Sequence, residues 1–171
     1  MRLDRSQAEA LLAGIRGLKV VVLGDLMLDE YLFGEGTRIS PEAPVPIVRV
    51  VRERAVLGGA ANVAANLKAV GAEPVVVGTL QDDLAGERLL RLLVGLDIHS
   101  EGVVLDSRRP TIIKTRVIGQ QQQMLRIDRE EPGDLDVGLE DCTGDEEYVA
   151  ELDRALARVW ATEPELVVYQ A

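Results

Sequence analysis

Two short segments combine polar and glycine residues in positions where a small ligand could bind. Gly24-Asp25-Leu-Met-Leu-Asp29 follows a β-branched run, so its carboxylates would stand where open α/β sheets place their ligands. They could hydrogen-bond sugar hydroxyls or only shape a turn. Gly58-Gly59-Ala-Ala-Asn62 opens a run of small residues, and paired glycines at a helix start let a ligand approach the backbone. The amide of Asn62 could donate and accept hydrogen bonds, although a tight turn before a closely packed helix would use the same glycines.

Several cations could hold an anionic group. Arg38 lies in a string with three prolines, which suits a rigid loop beside a cleft or the simple entry to a strand. Lys114, Arg116 and Arg126 could meet across a hairpin and bind a phosphate, or they could form a solvated polar face with Asp128. Neither G-x-G-x-x-G nor G-x-x-x-x-G-K-[ST] occurs, so the sequence has none of these nucleotide-binding loops.

The elements that must position these residues alternate between strands and helices. The β-branched runs at 19–24 and 74–78 have the composition of buried parallel strands. Small residues over 58–70 predict a close-packed helix ending at Gly71, and Asp82-Asp83 precedes a Leu-rich helix that runs to Gly95. This order predicts βαβ units and a parallel sheet.

Other stretches interrupt that alternation. Residues 44–52 and 111–128, the second with a turn region at 119–123, have the pattern of solvent-facing antiparallel strands. Pro44 and Pro46 would confine the first stretch to a sheet edge. We therefore predict a small β-layer, called the lid below, that projects from the α/β body.

The two ends of the chain add further elements. Ser6 and Glu9 form a capping-box pattern, which predicts a short helix that ends near Gly17. After residue 130 we expect an acidic loop, then a helix over 148–160 and a buried strand over 166–169.

Composition and charge exclude several classes of protein. Apolar residues make up 47% of the 171 residues and aromatic ones 3%, so aliphatic side chains must form the core. The net charge is −10, and residues 128–153 hold twelve acidic residues against one Arg, which leaves +1 for the rest. Without a broad basic face, nucleic acid and anionic membranes are not expected partners. The single Cys142, the lone His99 and the lack of a long apolar run favour a cytoplasmic protein without a disulfide framework or metal site.

Taken together, these segments resemble the ribokinase or PfkB-type carbohydrate kinases, and within them the D-glycero-β-D-manno-heptose 7-phosphate kinase branch. The resemblance covers about residues 17–131. Its most specific part is Arg38-Ile-Ser-Pro-Glu-Ala-Pro-Val-Pro46, whereas the double glycine and the Asn are shared by sugar kinases in general. The remaining strings that carry it are Gly24-Asp25-Leu-Met-Leu-Asp29-Glu-Tyr31, Gly58-Gly59-Ala-Ala-Asn62, Lys114-Thr-Arg116 and Arg126-Ile-Asp128.

The resemblance implies a ribokinase-like three-layer α/β sandwich with a parallel central sheet, here truncated, and a β-lid made of segments at about 35–54 and 109–129. It implies a homodimer formed through the lid, and ATP-dependent phosphorylation of a sugar phosphate at the anomeric position, with Mg²⁺, for lipopolysaccharide synthesis. The residues that would bind the substrate fall into two groups. Asp29, Gly58, Gly59 and Asn62 would surround the sugar, and Arg38, Lys114 and Arg116 would hold its 7-phosphate.

One expected part of the family pattern does not occur in this sequence. The Gly-Ala-Gly-Asp motif that supplies the anion hole and the catalytic Asp is not found, and Asp141-Cys-Thr-Gly144-Asp145 is only a chance likeness. We therefore expect residues 1–171 to be the N-terminal portion of one kinase domain, inactive alone and without tight binding of ATP or Mg²⁺. The alternatives are a non-catalytic sugar-phosphate-binding or dimerisation module and another PfkB-type sugar kinase.

Overall fold

The computed structural model describes residues 4–106, 109–119, 122–130 and 146–170, and these form two four-stranded sheets with four helices. The helices are α1 (Arg5–Ile15), α2 (Gly59–Ala69), α3 (Leu84–Gly95) and α4 (Glu146–Trp160). The strands are β1 (Lys19–Gly24), β2 (Leu26–Ile39), β3 (Pro46–Gly58), β4 (Glu73–Leu80), β5 (His99–Leu105), β6 (Ile112–Gly119), β7 (Gln122–Arg129) and β8 (Leu166–Gln170).

The first sheet is parallel and covered by helices on both faces, as predicted. Its strand order is β5-β4-β1-β8. Alternate side chains of β1 point to opposite faces, so Val20 and Val22 join the larger core with α2 and α3, while Val21 packs with Val159 of α4. Continuous Val runs in β1 and β4 are therefore buried on both sides, which is why they show no polar alternation.

The chain reverses its direction of travel across this sheet next to β1. It moves outward from β1 to β4 and β5, then returns through α4 to place β8 on the other side of β1. Gly24 at the end of β1 is consequently opposite Gln170 at the end of β8. A crevice beyond the carboxyl ends of the strands at such a switch point is the usual ligand position in open α/β sheets.

The second sheet forms the lid, and it differs from the prediction in two ways. Its order is β3-β2-β6-β7, and the 14-residue strand β2 was expected only as a ligand-bearing turn around Asp29. The β2–β6 pair is parallel, whereas we predicted antiparallel pairing throughout. Gly34 and Gly36, and a register shift after Phe33, interrupt the alternation by which a strand is recognised. The expected edge position of the proline-containing strand is confirmed, because β3 begins at Pro46 and lies at the sheet edge.

The N-cap of helix α1 lies two residues before the predicted cap. Asp4, rather than Ser6, caps it: Gln7 N donates to Asp4 Oδ1 at 2.8 Å, and Asp4 N donates to Gln7 Oε1 at 3.1 Å. Both pairs fit the capping-box spacing, and the earlier one adds two helical residues. Strand β5 was not predicted, and it places His99 on the surface beside Glu101.

The later elements agree with the predicted ones in position, but the strand expected to be buried at 166–169 is an edge strand on which Leu166, Val167 and Tyr169 are exposed. Helix α4 contains the expected helix at 148–160, and β8 pairs with β1 as a parallel strand. The acidic segment 131–145, with Cys142, lies outside the described residues. No helix within the described ranges is long and apolar enough to cross a membrane.

Candidate functional site

The start of α2 is held directly against the end of β1. Ala60 N donates to the carbonyl oxygen of Asp25 at 2.9 Å. Gly59 adopts φ +52°, and a Cβ added there would lie 2.3 Å from that same oxygen. Only glycine fits both the conformation and the space, so this residue lets the helix start pack directly against the strand end.

Asp29 stands next to this helix start because β2 pairs with the end of β3. Arg116 Nη1 donates to Asp29 Oδ1 at 2.7 Å. A Cβ on Gly58, which is itself buried, would lie 3.1 Å from Asp29 Oδ2, so the second oxygen lies against the backbone at the start of α2. The side chains of Asp29 and Arg116 are 19% and 22% exposed, so both are partly buried and still accessible to a ligand. One oxygen of Asp29 is thus fixed and the other is left for hydrogen bonding.

Arg116 is fixed by a carboxylate and an aromatic ring. Its guanidinium carbon lies 5.4 Å from the centroid of the Tyr31 ring, within the range of a cation–π contact. The hydrogen bond that Arg116 donates to Asp29 raises the pKa of the Arg116 guanidinium above its usual value, with burial acting against it. Tyr31 in turn stacks on Phe33 with ring centroids 6.2 Å apart. Arg116 is therefore a charged group of defined position.

A second charged group lies beside the first, around Lys114. Lys114 is opposite Asp29 in the β2–β6 pair, and its Nζ lies 3.4 Å from Glu130 Oε2. Burial raises the pKa of the Asp25 carboxyl above its ordinary value, while Lys114 lowers it and Glu130 raises it. These effects place Asp25, Lys114 and Glu130 near one another at the end of the parallel sheet.

The structure brings together five of the seven residues expected to bind substrate. They are Asp29, Gly58, Gly59, Lys114 and Arg116. Asn62 is one turn further along α2, and its side chain is exposed. Arg38 is near the far end of β2, where it is opposite Ile47. At about 3.3 Å per residue, it is roughly 30 Å from Asp29 along the strand.

The sequence allowed the lid cations either to bind a phosphate or to form a solvated polar face with Asp128. In the structure, Arg126 and Arg116 have different partners. Arg126 Nε lies 2.9 Å from Asp128 Oδ1 of its own strand, as expected of a solvated polar face. Arg116 instead pairs with Asp29, a contact across strands that requires β2 to lie beside β6. Because β2 was not predicted, neither Tyr31 nor Arg54 was assigned a role from the sequence, and the structure places them opposite one another.

The donors around Asp29 fit a polyhydroxyl ligand better than a divalent cation. Its hydrogen-bond partner is a guanidinium, and Lys114 is opposite it on the neighbouring strand. Within the described ranges, no three His, Cys, Asp or Glu side chains converge on one point. The carboxylates and carbonyls that Mg²⁺ prefers are therefore not assembled by these residues, and we derive no step through Mg²⁺ from them.

Sequence comparison places this geometry in a family. Residues 18–154 match the pfkB family of carbohydrate kinases. A bifunctional protein HldE of Desulfatibacillum aliphaticivorans is 53% identical over 112 residues, which are 66% of this chain and 23% of that protein. A D-beta-D-heptose 7-phosphate kinase of Bordetella bronchiseptica is 50% identical over 121 residues, 69% of this chain and 38% of the relative. The chain thus spans well under half the length of these relatives.

Solved structures agree on the fold. The chain is similar to a putative ribokinase from Agrobacterium tumefaciens with a TM-score of 0.57 at 20% identity, covering 67% of this chain and 37% of the other. It is also similar to Arabidopsis thaliana ribokinase complexed with ribose and ATP, with a TM-score of 0.50 at 20% identity over 67% and 36%. The ribokinase-like α/β fold is therefore confirmed, and the chain belongs to the pfkB family of carbohydrate kinases.

Proposed function

We propose that this chain is the sugar-phosphate-binding part of a kinase that phosphorylates D-glycero-β-D-manno-heptose 7-phosphate at its 1-position. The reaction would feed ADP-heptose and lipopolysaccharide core synthesis in the cytoplasm. The observation that carries the proposal is Asp29, held on one oxygen by Arg116 and with its other oxygen against the backbone of Gly58 at the start of α2. The names of relatives at 50% and 53% identity, HldE and D-beta-D-heptose 7-phosphate kinase, support the substrate.

The geometry suggests a role for each group near the sugar. Asp29 Oδ2 would accept hydrogen bonds from ring hydroxyls, because its other oxygen is already occupied by Arg116. Gly58 and Gly59 would let the sugar approach the first turn of α2, where backbone N–H groups can donate. Asn62, exposed one turn further along, would reach the same ligand only from its outer side.

Lys114 and Arg116 are our candidates for the 7-phosphate, since both lie on the ligand side of β6 beside Asp29. Arg38 was predicted to join them, but its position near the far end of β2 does not support contact with the same phosphate within one copy of the chain. A phosphate near Lys114 would also compete with Glu130, 3.4 Å away, for the ammonium group.

Residues 1–171 would form the N-terminal portion of one kinase domain. ATP with Mg²⁺ supplies the phosphoryl group in this family, and the Gly-Ala-Gly-Asp motif expected to stabilise that transfer does not occur in these residues. We propose that the chain binds and orients the acceptor sugar but binds ATP weakly. Deprotonation of the anomeric hydroxyl would then fall to residues outside this sequence.

The lid would also form a homodimer. Its face away from the sugar carries apolar side chains that are exposed in the single chain, with Leu125 at 55% and Ile127 at 39%. Val117 of β6 is opposite Leu125, so Val117, Leu125 and Ile127 form one apolar surface, whereas Thr115, opposite Ile127, is buried. A second copy is the occupant that the proposal assigns to this surface.

Calorimetric titration with D-glycero-D-manno-heptose 7-phosphate tests the proposed function. We expect binding by the unsubstituted chain, loss of at least about tenfold in affinity for Asp29→Asn, since a charged hydrogen bond contributes about 1.5–3 kcal/mol, and little response to ATP with Mg²⁺. The matched control is Asp153→Asn, an exposed carboxylate of α4. A folded chain that does not bind the heptose phosphate, or binds it equally well after Asp29→Asn, would refute the proposal.

The same titration separates the alternatives. Tighter binding of fructose 6-phosphate than of the heptose phosphate would favour another PfkB-type sugar kinase. Tight sugar-phosphate binding by a chain that never restores phosphoryl transfer when combined with the remainder of a heptose kinase would favour a non-catalytic binding module.

A further inference from the structure

Four aligned positions cross the lid at the level just beyond Asp29. Arg54 of β3 is opposite Tyr31 of β2, Tyr31 is opposite Arg116 of β6, and Arg116 is opposite Arg126 of β7. Residues directly opposite one another in a sheet point to the same face. Three arginines therefore share the face of the lid that carries Asp29.

This face is cationic in a protein that is strongly acidic overall. The cations on it are Arg52, Arg54, Lys114, Arg116 and Arg126, and the carboxylates beside them are Asp29, Asp128 and Glu130. Five positive charges against three negative ones contrast with the net charge of −10 for the whole chain. A local excess of this sign concentrates an anionic ligand at the surface that carries it.

Most of these cations have a partner among the described residues, and Arg54 has none there. Arg116 is paired with Asp29, Arg126 with Asp128 and Lys114 with Glu130. Arg54 has no carboxylate within ion-pair distance among the residues that the structure describes, and its side chain is exposed.

Arg54 also lies at a suitable distance from the sugar position. Val56 is opposite Asp29, so Arg54 is two residues further along β3, about 6.6 Å outward at 3.3 Å per residue. Arg54 and Arg116 flank Tyr31 two strands apart, about 10 Å between their Cα atoms, and two arginine side chains can close on one group across that gap. This spacing suits a sugar ring at Asp29 with a phosphate on a side carbon.

We propose that Arg54 is a specificity-determining residue that receives the terminal phosphate of the sugar phosphate, with Arg116 completing the contact through its unused guanidinium edge. The inference rests on the proposed function and extends it to a residue that neither the sequence pattern nor the family resemblance identified. A guanidinium fork presents paired donors to phosphate oxygens, so it recognises the phosphate rather than the sugar. Arg52 is less suited, because its guanidinium carbon is 4.0 Å from the centroid of the Phe33 ring.

The experiment compares three ligands on the chain and its variants: the heptose 7-phosphate, the same heptose without phosphate, and ATP with Mg²⁺. We expect Arg54→Gln to raise Kd for the heptose phosphate about tenfold and to leave Kd for the unphosphorylated heptose within about twofold. Arg54→Lys keeps the positive charge but not the guanidinium fork, so its Kd for the heptose phosphate should lie between those of the unsubstituted chain and Arg54→Gln. Arg49→Gln, which removes a positive charge from the same strand at a position paired with Glu35, should change neither value.

The outcomes separate the inference from the function on which it rests. Equal losses for both sugars, or no loss for either, would overturn the assignment of Arg54 while the proposed function stands. If Arg54→Gln weakened only the binding of ATP, Arg54 would contact the nucleotide, and its assignment to the sugar phosphate would be wrong as well. If the unsubstituted chain binds neither sugar, the proposed function fails and the inference fails with it.

Discussion

Replacing Gly59 by alanine should be costly, because this residue joins α2 to the end of β1 under two constraints. Its φ of +52° is left-handed, which costs a residue with a Cβ about 1–2 kcal/mol. The added Cβ would also lie 2.3 Å from the carbonyl oxygen of Asp25, and relieving a backbone overlap of this kind adds about 1–3 kcal/mol. We therefore expect Gly59→Ala to lower the free energy of unfolding by about 2–5 kcal/mol.

Urea denaturation followed by circular dichroism measures this loss, and Gly14→Ala is the matched control. Gly14 lies within α1 with nothing within 4 Å of an added Cβ, so alanine should stabilise the chain by about 0.5–1 kcal/mol through helix propensity. The same substitution thus has opposite signs at two glycines. A loss below about 1 kcal/mol for Gly59→Ala would refute the close contact between Gly59 and Asp25 on which the site geometry depends.

Three further predictions address charge and assembly. Arg116→Met should weaken the unphosphorylated heptose, because it releases Asp29, and should weaken the heptose phosphate at least about tenfold in calorimetry, because it also removes a phosphate contact; unchanged binding of the unphosphorylated heptose would contradict this. Burial raises the pKa of Asp25 above its ordinary value of 3.8, so its contribution to stability is present below that pH and is lost as the pH rises through the folded pKa. Asp25→Asn should remove that part of the pH dependence in denaturation curves, and an unchanged profile would argue against burial of this carboxyl. Leu125→Lys should shift the sedimentation of the chain from dimer to monomer, and a monomeric unsubstituted chain would rule out the lid dimer.

The parallel sheet could be predicted from the sequence because its signals are local. Runs such as Lys19–Gly24 are apolar on both sides and end in glycine, and Asp83 caps α3 through its own side chain, which accepts from Gly86 N at 2.7 Å. Such patterns need no knowledge of distant partners. The fold class and the helix that begins at Gly59 followed from them.

The lid strand β2 could not be recognised in the same way. Only its inner part is covered: Leu28 is buried, whereas Ile39 at the far end is 64% exposed, so no single alternation runs along its length. Its place is determined by pairing with β3 and β6, and the paired residues of β6 are 85 positions further along the sequence. The ion pair between Asp29 and Arg116 depends on that pairing, so the individual residues could be suggested from the sequence but their partnership could not.

The arrangement also determines which substitutions can reveal a ligand contact. Asp25 bonds to α2 through its carbonyl oxygen, and Asp29, four residues later, contacts Arg116 and stands against Gly58, so the site and the junction of the two sheets are built from the same residues. A change at the junction alters stability and geometry together, and lost binding there says little about direct contact unless the free energy of unfolding is unchanged. Arg54 is exposed and has no ion-pair partner among the described residues, so its removal should leave the fold intact. It is therefore the position at which a loss of binding can be attributed most directly to the phosphate itself.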